Sequence, residues 1–286
     1  MNVELTRTNT MLVLDSTSDL SPELRADPNI RVVPLMVQFG NESLRDWEEI
    51  HPEQFYPRLR ETSKLPTTSQ PSAGQFLQVY QEARKDFERV YSIHISGGLS
   101  GTVGSATTAA EDVPGVVPID SGSASVGLAL LADRLLLMLD EGVEEEIFLD
   151  YIQGYSERVG FLFMVDTLEY LQKGGRIGRA SRIAGSLLSV KPLLTMRQGE
   201  VDLYKKVRGE RKALSAVQGY FLERTTPDKP VFLAIAHAAA PGKAEAMLEV
   251  LRETDRTLDI RVRGHLGSVI GTYVGPGAIG LFFIQE

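Results

Sequence analysis

A loop rich in hydroxyl groups and glycine follows an apolar run near the middle of the chain. Residues 90–95 are mostly β-branched or aromatic, which is typical of a buried strand. Residues 96–98 read Ser-Gly-Gly, and Ser100 or Thr102 can cap the helix predicted to follow. Because a helix N-terminus presents unpaired N–H groups and a partial positive charge, this loop is suited to a carboxylate or a phosphate. The alternative interpretation is a strand-to-helix turn without a ligand.

A serine and a histidine close to this loop also suggest catalysis. His94 lies two residues before Ser96, and alternation along a strand puts the two side chains on one face. A histidine can activate a neighbouring hydroxyl as a nucleophile. One hypothesis is therefore an α/β enzyme that acts on a small anionic substrate with Ser96 or Ser100 and His94.

The sequence around this loop lacks the motifs of nucleotide-binding and hydrolytic sites. The chain contains no P-loop and no G-x-S-x-G, and Gly98, Gly101 and Gly104 give the spacing G-x-x-G-x-x-G and not the G-x-G-x-x-G of a dinucleotide site. The four histidines are isolated, without the spacing of metal ligands, and there is no cysteine. We therefore expect no metal site and no cofactor.

A second hydroxyl-rich stretch lies earlier in the chain. Thr67, Thr68 and Ser69 stand between two prolines, which favour an extended backbone. Their hydroxyls can donate hydrogen bonds to a carboxylate without adding charge. Alternatively, the stretch only leads into the next helix, whose start is marked by the capping box Ser72-x-x-Gln75.

The hydrophobic pattern supplies elements that can bring these stretches together. Polar or glycine-rich loops follow four predicted strand ends, at Asp15, Thr67, Ser96 and Asp120. In an open parallel sheet such loops meet at the carboxyl edge of the sheet, where ligands bind. A polar turn is predicted at 40–46, and helices are predicted at 52–60, 74–87, 100–111, 123–141, 143–155, 180–188, 210–222 and 241–253.

The second half of the chain has a different order of elements. A strand at 160–165 is followed by a predicted hairpin, and then by helices alternating with strands. The predicted fold is α/β, with an N-terminal open parallel sheet covered by helices on both faces and a C-terminal α+β domain. A chain of 286 residues with 43% hydrophobic content is large enough for two domains, which we predict at 1–157 and 158–286.

Charge is distributed unevenly along the chain. The net charge is −8, which argues against nucleic acid as a partner. Residues 173–212 nevertheless carry eleven Lys or Arg and three acidic residues. This segment is either a solvated basic face or a docking surface for an anionic group or an acidic partner. The sequence has no apolar signal core and no apolar run long enough to cross a bilayer, so we expect a cytoplasmic protein.

Taken together in chain order, the motifs resemble those of the DegV family, bacterial fatty-acid-binding proteins that are carrier subunits of fatty acid kinase. The motifs that carry the resemblance are D-S-T-S-D-L at 15–20, T-S-Q-P at 68–71, I-S-G-G-L-S-G-T at 95–102, G-G-R-I at 174–177, K-P at 191–192, V-R-G at 207–209 and G-P-G at 275–277.

The resemblance implies a non-enzymatic lipid carrier. A long-chain fatty acid would lie in a tunnel between the domains, and a separate ATP-dependent kinase would phosphorylate its carboxylate to an acyl phosphate. The implied ligand-binding residues are Thr68, Ser69, Ser96, Gly97, Arg176 and Tyr273, and the implied partner-facing residues are Lys205, Lys206 and Arg208. The basic segment would dock the kinase or make transient contact with an anionic membrane.

Two positions depart from the family pattern. Gly97 stands where the family often has a second serine, which leaves only a backbone N–H as donor at this position. Tyr273 stands where a histidine is frequent. A tyrosine hydroxyl can donate to a carboxylate, but it is not a cation near neutral pH.

Overall fold

The computed structural model describes residues 3–183 and 190–286. Its first half contains the strands and helices β1 (Glu4–Leu5), β2 (Thr10–Asp15), α1 (Pro22–Arg25), β3 (Ile30–Val33), β4 (Met36–Phe39), β5 (Glu42–Arg45), α2 (Pro52–Glu61), β6 (Thr67–Ser69), α3 (Ala73–Asp86), β7 (Arg89–His94), α4 (Thr102–Ala110), β8 (Val116–Asp120), α5 (Val126–Glu141), β9 (Val143–Glu144) and α6 (Glu145–Arg158). Its second half contains β10 (Gly160–Met164), α7 (Glu169–Lys173), β11 (Lys191–Arg197), β12 (Glu200–Val207), α8 (Glu210–Leu222), β13 (Val231–His237), α9 (Pro241–Arg252), β14 (Leu258–His265), α10 (Ser268–Val274) and β15 (Ile279–Gln285). Short 3-10 helices cover Ser16–Ser18 and Gly178–Ile183.

The first half is built on a parallel sheet with the strand order β3-β2-β7-β8. Alternate residues of its strands enter two different cores. Met11 and Val13 of β2 share a core with Phe76 and Tyr80 of α3, whereas Leu12 lies in the core that α5 and α6 enter. Helices therefore cover both faces, as predicted.

Three of the four polar loops meet at the carboxyl edge of this sheet. The backbone N–H of Ile95 donates to the Asp15 carboxylate (2.9 Å), and that of Gly97 donates to Asp120 (3.0 Å). The prediction for Thr67 was wrong, because β6 pairs with β4 in a separate antiparallel sheet ordered β5-β4-β6. The turn predicted at 40–46 was too long, since residues 42–45 form β5 of the same sheet.

The second half is built on a mixed sheet with the strand order β12-β11-β10-β15-β13-β14. Helices α8 and α9 pack on one face, in a core that contains Phe221, Met247 and Phe283. Helix α5 packs on the other face and shares its core with residues of the parallel sheet. The α/β fold with a C-terminal α+β region is thus confirmed, whereas the domain limits of 1–157 and 158–286 stay a prediction.

Helix α5 lies between the two sheets and is apolar around almost its whole circumference, as a helix buried on all sides must be. Gly127 allows a close approach, because a Cβ atom there would come within 2.4 Å of the Phe282 ring. Two charged residues lie in its middle turns: Asp133 accepts two hydrogen bonds from Arg261 of β14 (2.8 and 3.0 Å), and Arg134 donates to Glu286 (2.6 Å). The helix therefore ties the two sheets together.

Several predicted helix limits need correction. Helix α4 begins at Thr102, and the Ser100 hydroxyl accepts from the N–H of this first residue (3.4 Å), whereas the residue at the cap position is Gly101. Helix α5 begins at 126 and not 123, and α6 begins at 145 and not 143. The helix predicted at 180–188 lies mostly outside the described residues. Helix α10 was not predicted. At its start the N–H of Gly267 donates to the Asp19 carboxylate and the N–H of Ser268 donates to the Asp46 carboxylate (both 2.9 Å).

Candidate functional site

A largely apolar cavity of about 280 Å³ lies between the carboxyl-edge loops of the parallel sheet and the mixed sheet, close to the lower end of the range for ligand pockets. Strands β10 and β15 form one wall, helix α10 forms another, and Ile95, directly after β7, closes a third side. We call it the main cavity. The apolar side chains that line it belong to Leu35, Ile95, Leu99, Ala124, Phe161, Phe163, Leu171, Met196, Val201, Leu266, Val269, Ile270, Val274, Ala278, Ile279 and Phe282.

Most polar side chains of the main cavity come from three chain segments. Thr17 and Ser125 also line it, but their hydroxyls donate to the buried carboxylates of Asp15 and Asp19. Strand β6 and the residue after it contribute Thr68, Ser69 and Gln70, and helix α10 contributes Tyr273. The Thr68 and Tyr273 hydroxyl oxygens lie 2.6 Å apart, so one donates to the other. Ser100 lies two residues before α4 and also lines the cavity. We call this group the polar end.

Arg176 lies at the polar end but is held by backbone groups. Its Nε donates to the Leu99 carbonyl (3.1 Å) and its Nη1 donates to the Gly174 carbonyl (2.9 Å). The guanidinium carbon stands 5.1 Å from the centre of the Tyr273 ring, within the range of a cation–π contact. Four of the six residues predicted to bind the ligand, namely Thr68, Ser69, Tyr273 and Arg176, are therefore brought together around one cavity.

Ser96 and Gly97 are placed differently from these four. The Ser96 hydroxyl donates to the Gly199 carbonyl (2.8 Å) and accepts from Gly98 N (3.2 Å), and Gly97 N donates to Asp120. Neither residue lines the main cavity. In this arrangement Ser96 holds the turn between β11 and β12 against the parallel sheet, whereas Gly97 is bound to the end of β8. Their donors are not directed at the polar end.

The serine–histidine pair of the enzyme hypothesis does not form. His94 is completely buried, with Nε2 2.6 Å from the Ser92 hydroxyl and Nδ1 3.1 Å from the Asp15 carboxylate. Burial opposes ionisation of Asp15, yet its bonds from His94, Thr17 and Ile95 keep the pKa of this carboxyl below its usual value. Because Ser92 and Asp15 are also completely buried, no substrate reaches this chain of hydrogen bonds.

A second, open cavity of about 750 Å³ adjoins the polar end and shares Thr68, Arg176 and Tyr273 with the main cavity. We call it the vestibule. Arg60, Lys64 and Lys173 also line it. Its one acidic lining residue, Glu169, pairs with Lys173 (2.5 Å). The excess of positive charge favours an anionic group here. Lys173 and Arg176 belong to the basic segment, for which an anionic partner was one of the two predictions. Nothing in the local sequence indicates that Arg60 and Lys64 line the same cavity.

Two buried carboxyl groups, which sequence analysis missed, hold the wall that carries α10. Asp19 accepts hydrogen bonds from Gly267 N, Trp47 Nε1 (3.1 Å) and the Ser125 hydroxyl (2.6 Å). Asp46 Oδ1 accepts from Ser268 N, whereas its Oδ2 is buried and has no partner within hydrogen-bond distance in the described part of the chain. Burial raises the pKa of Asp19 to about 8 and that of Asp46 to about 7. Protons therefore bind more tightly to these groups in the folded protein.

The predicted partner-facing residues lie on another part of the surface. Lys205 and Lys206 are exposed on β12, at the edge of the mixed sheet, and Arg208 is exposed directly after it. None of the three lines the main cavity or the vestibule. Within 3–183 and 190–286, no cluster of acidic and histidine side chains is suited to a metal ion, and no helix has the length and hydrophobicity of a membrane span.

Comparison with known sequences identifies the family. Residues 9–286 match the sequence model described as "Uncharacterised protein, DegV family". The chain belongs to the DegV family. A DegV domain-containing protein of Halalkalibacterium halodurans is 36% identical over 282 residues, which cover 98% of this chain and 99% of the relative.

Solved structures of the DegV family share the fold. A DegV family protein from Thermus thermophilus, described by its fatty acid binding, superposes with a TM-score of 0.93 at 36% identity and covers 97% of this chain and 100% of its own. DegV from Bacillus subtilis, described as a fatty acid binding protein, gives a TM-score of 0.87 at 31% identity, with 98% and 100% of the two chains covered.

The two departures from the family pattern differ in their surroundings. A Cβ atom at Gly97 would lie 2.8 Å from the Asp120 carboxylate, so a serine there requires the end of the Asp120 side chain to move. Tyr273, the other departure from the family pattern, keeps a hydroxyl group at the polar end.

Proposed function

We propose that this protein binds one long-chain fatty acid in the main cavity, with the carboxylate at the polar end. The observation that carries the proposal is the combination of an apolar cavity with hydroxyl groups at one end. Burying roughly a dozen methylene groups at ~0.8 kcal/mol each contributes on the order of 10 kcal/mol before the costs of binding. The acyl chain can therefore supply the affinity, while the polar end orients the carboxylate.

The proposed contacts of the carboxylate are the hydroxyls of Thr68, Tyr273 and Ser69. Hydrogen bonds to a charged carboxylate are stronger than those between neutral groups, and Thr68 and Tyr273 are already within 2.6 Å of each other. Arg176 would act over a longer distance, because two of its N–H groups hold the guanidinium against the Leu99 and Gly174 carbonyls. Ser96 and Gly97 are not among the contacts we propose, since their donors have other acceptors.

We further propose that the protein is a carrier and that a separate ATP-dependent kinase phosphorylates the bound carboxylate. The vestibule supports this role, because it adjoins the polar end and its lining has more cations than anions. A transferred phosphoryl group would arrive there with its negative charge. Lys205, Lys206 and Arg208 would contact the kinase or, transiently, an anionic membrane, and the cytoplasm, where ATP is available, would be the site of action.

Extraction of the purified protein with organic solvent, followed by mass spectrometry, tests the binding step. We expect about one long-chain fatty acid per protein chain after expression in bacteria. If no acid is extracted and added palmitate or oleate does not bind, the proposal is wrong. For the second step, the loaded protein is incubated with ATP and candidate kinase subunits, and acyl phosphate is trapped with hydroxylamine. Formation of acyl phosphate in the absence of any kinase subunit would contradict the carrier role.

A further inference from the structure

A surface cleft lies behind the main cavity, at the end away from Tyr273. Its lining includes the turn between β11 and β12, together with Val159, Tyr204 and Tyr220. We call it the rear cleft. Phe161 and Met196 line both the rear cleft and the main cavity. These two side chains are therefore the partition between the two spaces.

Strand register shows that this partition is at the far end of the main cavity. Along β15 and the residue before it, Ala278, Gly280 and Phe282 face the cavity in alternation. Four residues of strand extend about 13 Å, and Phe282 pairs with Phe161 of β10. Ala278 follows the turn that ends α10, the helix of Tyr273. The cavity thus runs along the sheet from the polar end towards Phe161.

Met196 lies beside Phe161 on the neighbouring strand. The antiparallel pairing of Phe163 with Leu194 brings residue 196 next to 161, and Thr195 donates to the Phe161 carbonyl (2.8 Å). The Phe161 ring stacks on Phe163 (5.4 Å between ring centres) and on Phe282 (3.9 Å), so its orientation is fixed from both sides. Met196 takes part in no such stack, is only half-buried, and has an unbranched side chain that adapts readily.

We propose that Met196 sets the maximum length of the acyl chain by closing the main cavity towards the rear cleft. The inference rests on the proposed binding of fatty acids. A chain that fills the cavity ends against the thioether, and a longer one displaces it. With a small residue at 196, the terminal methylenes pass the partition and lie against Val159 and the rings of Tyr204 and Tyr220.

Competition among saturated fatty acids of 14 to about 22 carbons tests this assignment, with the bound fraction of each acid measured by mass spectrometry. Met196→Ala should raise the preference for acids two or more methylenes longer than the wild-type optimum by about tenfold, since each buried methylene contributes ~0.8 kcal/mol. Met196→Trp should shift the preference towards shorter acids, and Met196→Leu should keep the wild-type order. The matched control is Met138→Ala, a half-buried methionine of α5 outside the cavity lining.

The outcomes separate this inference from the proposed function. If the wild-type protein binds no fatty acid, the proposed function fails. If it binds acids and the Met196→Ala and Met196→Trp variants select the same lengths as Met138→Ala, the assignment of Met196 is wrong. Thermal unfolding of each variant shows whether it is folded, and if Met196→Ala is not, the shift with Met196→Trp decides alone.

Discussion

Replacing Tyr273 with phenylalanine removes one hydroxyl from the polar end and leaves the ring that faces Arg176. Among the described residues this hydroxyl has one side-chain partner, Thr68 at 2.6 Å, and Thr68 is only half-buried, so the substitution leaves no fully buried group without a partner. A hydrogen bond to a charged group contributes about 1.5–3 kcal/mol. The Tyr273→Phe variant should therefore bind palmitate about 10- to 150-fold more weakly than the parent.

A double-mutant cycle with Thr68→Ala tests whether the two hydroxyls act on the same carboxylate. Because they contact each other, their effects should deviate from additivity by about 0.5–3 kcal/mol. Isothermal titration at fixed pH gives the four dissociation constants. Tyr151→Phe is the control, since its hydroxyl donates to Glu286, away from the main cavity. If Tyr273→Phe and Thr68→Ala both bind palmitate as tightly as the parent, the carboxylate does not lie at the polar end.

Three further predictions concern other parts of the protein. Because burial raises the folded-state pKa of Asp46 to about 7, the unfolding free energy should fall as pH rises from about 4 to 7. In denaturant titrations over this pH range, the Asp46→Asn variant should show a smaller decline than the parent. Equal declines in the two proteins would contradict the prediction. Arg208→Ala should leave fatty acid affinity unchanged and slow kinase-dependent acyl phosphate formation at least about tenfold, and loss of the fatty acid would instead place Arg208 in the binding site. Gly97→Ser should lower the melting temperature by several degrees, because the new Cβ atom at 97 would lie 2.8 Å from the Asp120 carboxylate. An unchanged melting temperature would show that the Asp120 side chain moves away without cost.

The sequence predicted the parallel sheet well, because its strands are compact β-branched runs bounded by polar loops. It did not predict α10, whose residues Ser-Val-Ile-Gly-Thr-Tyr-Val favour a strand by propensity. That helix depends on tertiary contacts, in particular on the carboxylates of Asp19 and Asp46, which accept hydrogen bonds at its start. Local pattern cannot supply information of this kind.

The candidate site shows the same limit. Thr68 and Tyr273 are 205 residues apart in sequence, so periodicity and spacing could not bring them together, and only the family resemblance did. For Ser96 the local motif was a poor guide to its contacts. Its hydroxyl donates to the carbonyl of Gly199, which lies 103 residues away in the turn between β11 and β12. No local rule determines where that turn lies relative to the loop.

The position of α5 between the two sheets has a consequence for synthesis of the chain on the ribosome. The helix ends at Glu141, whereas the strands that cover its second face, β13, β14 and β15, lie between Val231 and Gln285. Residues 142–237 must therefore be translated before the first of these strands, β13, is complete. During that interval the nascent chain presents an apolar helix surface that chaperones can bind and that promotes aggregation. A fragment that stops at residue 157 would keep this surface permanently, so the two halves are better regarded as one cooperative folding unit than as separable modules.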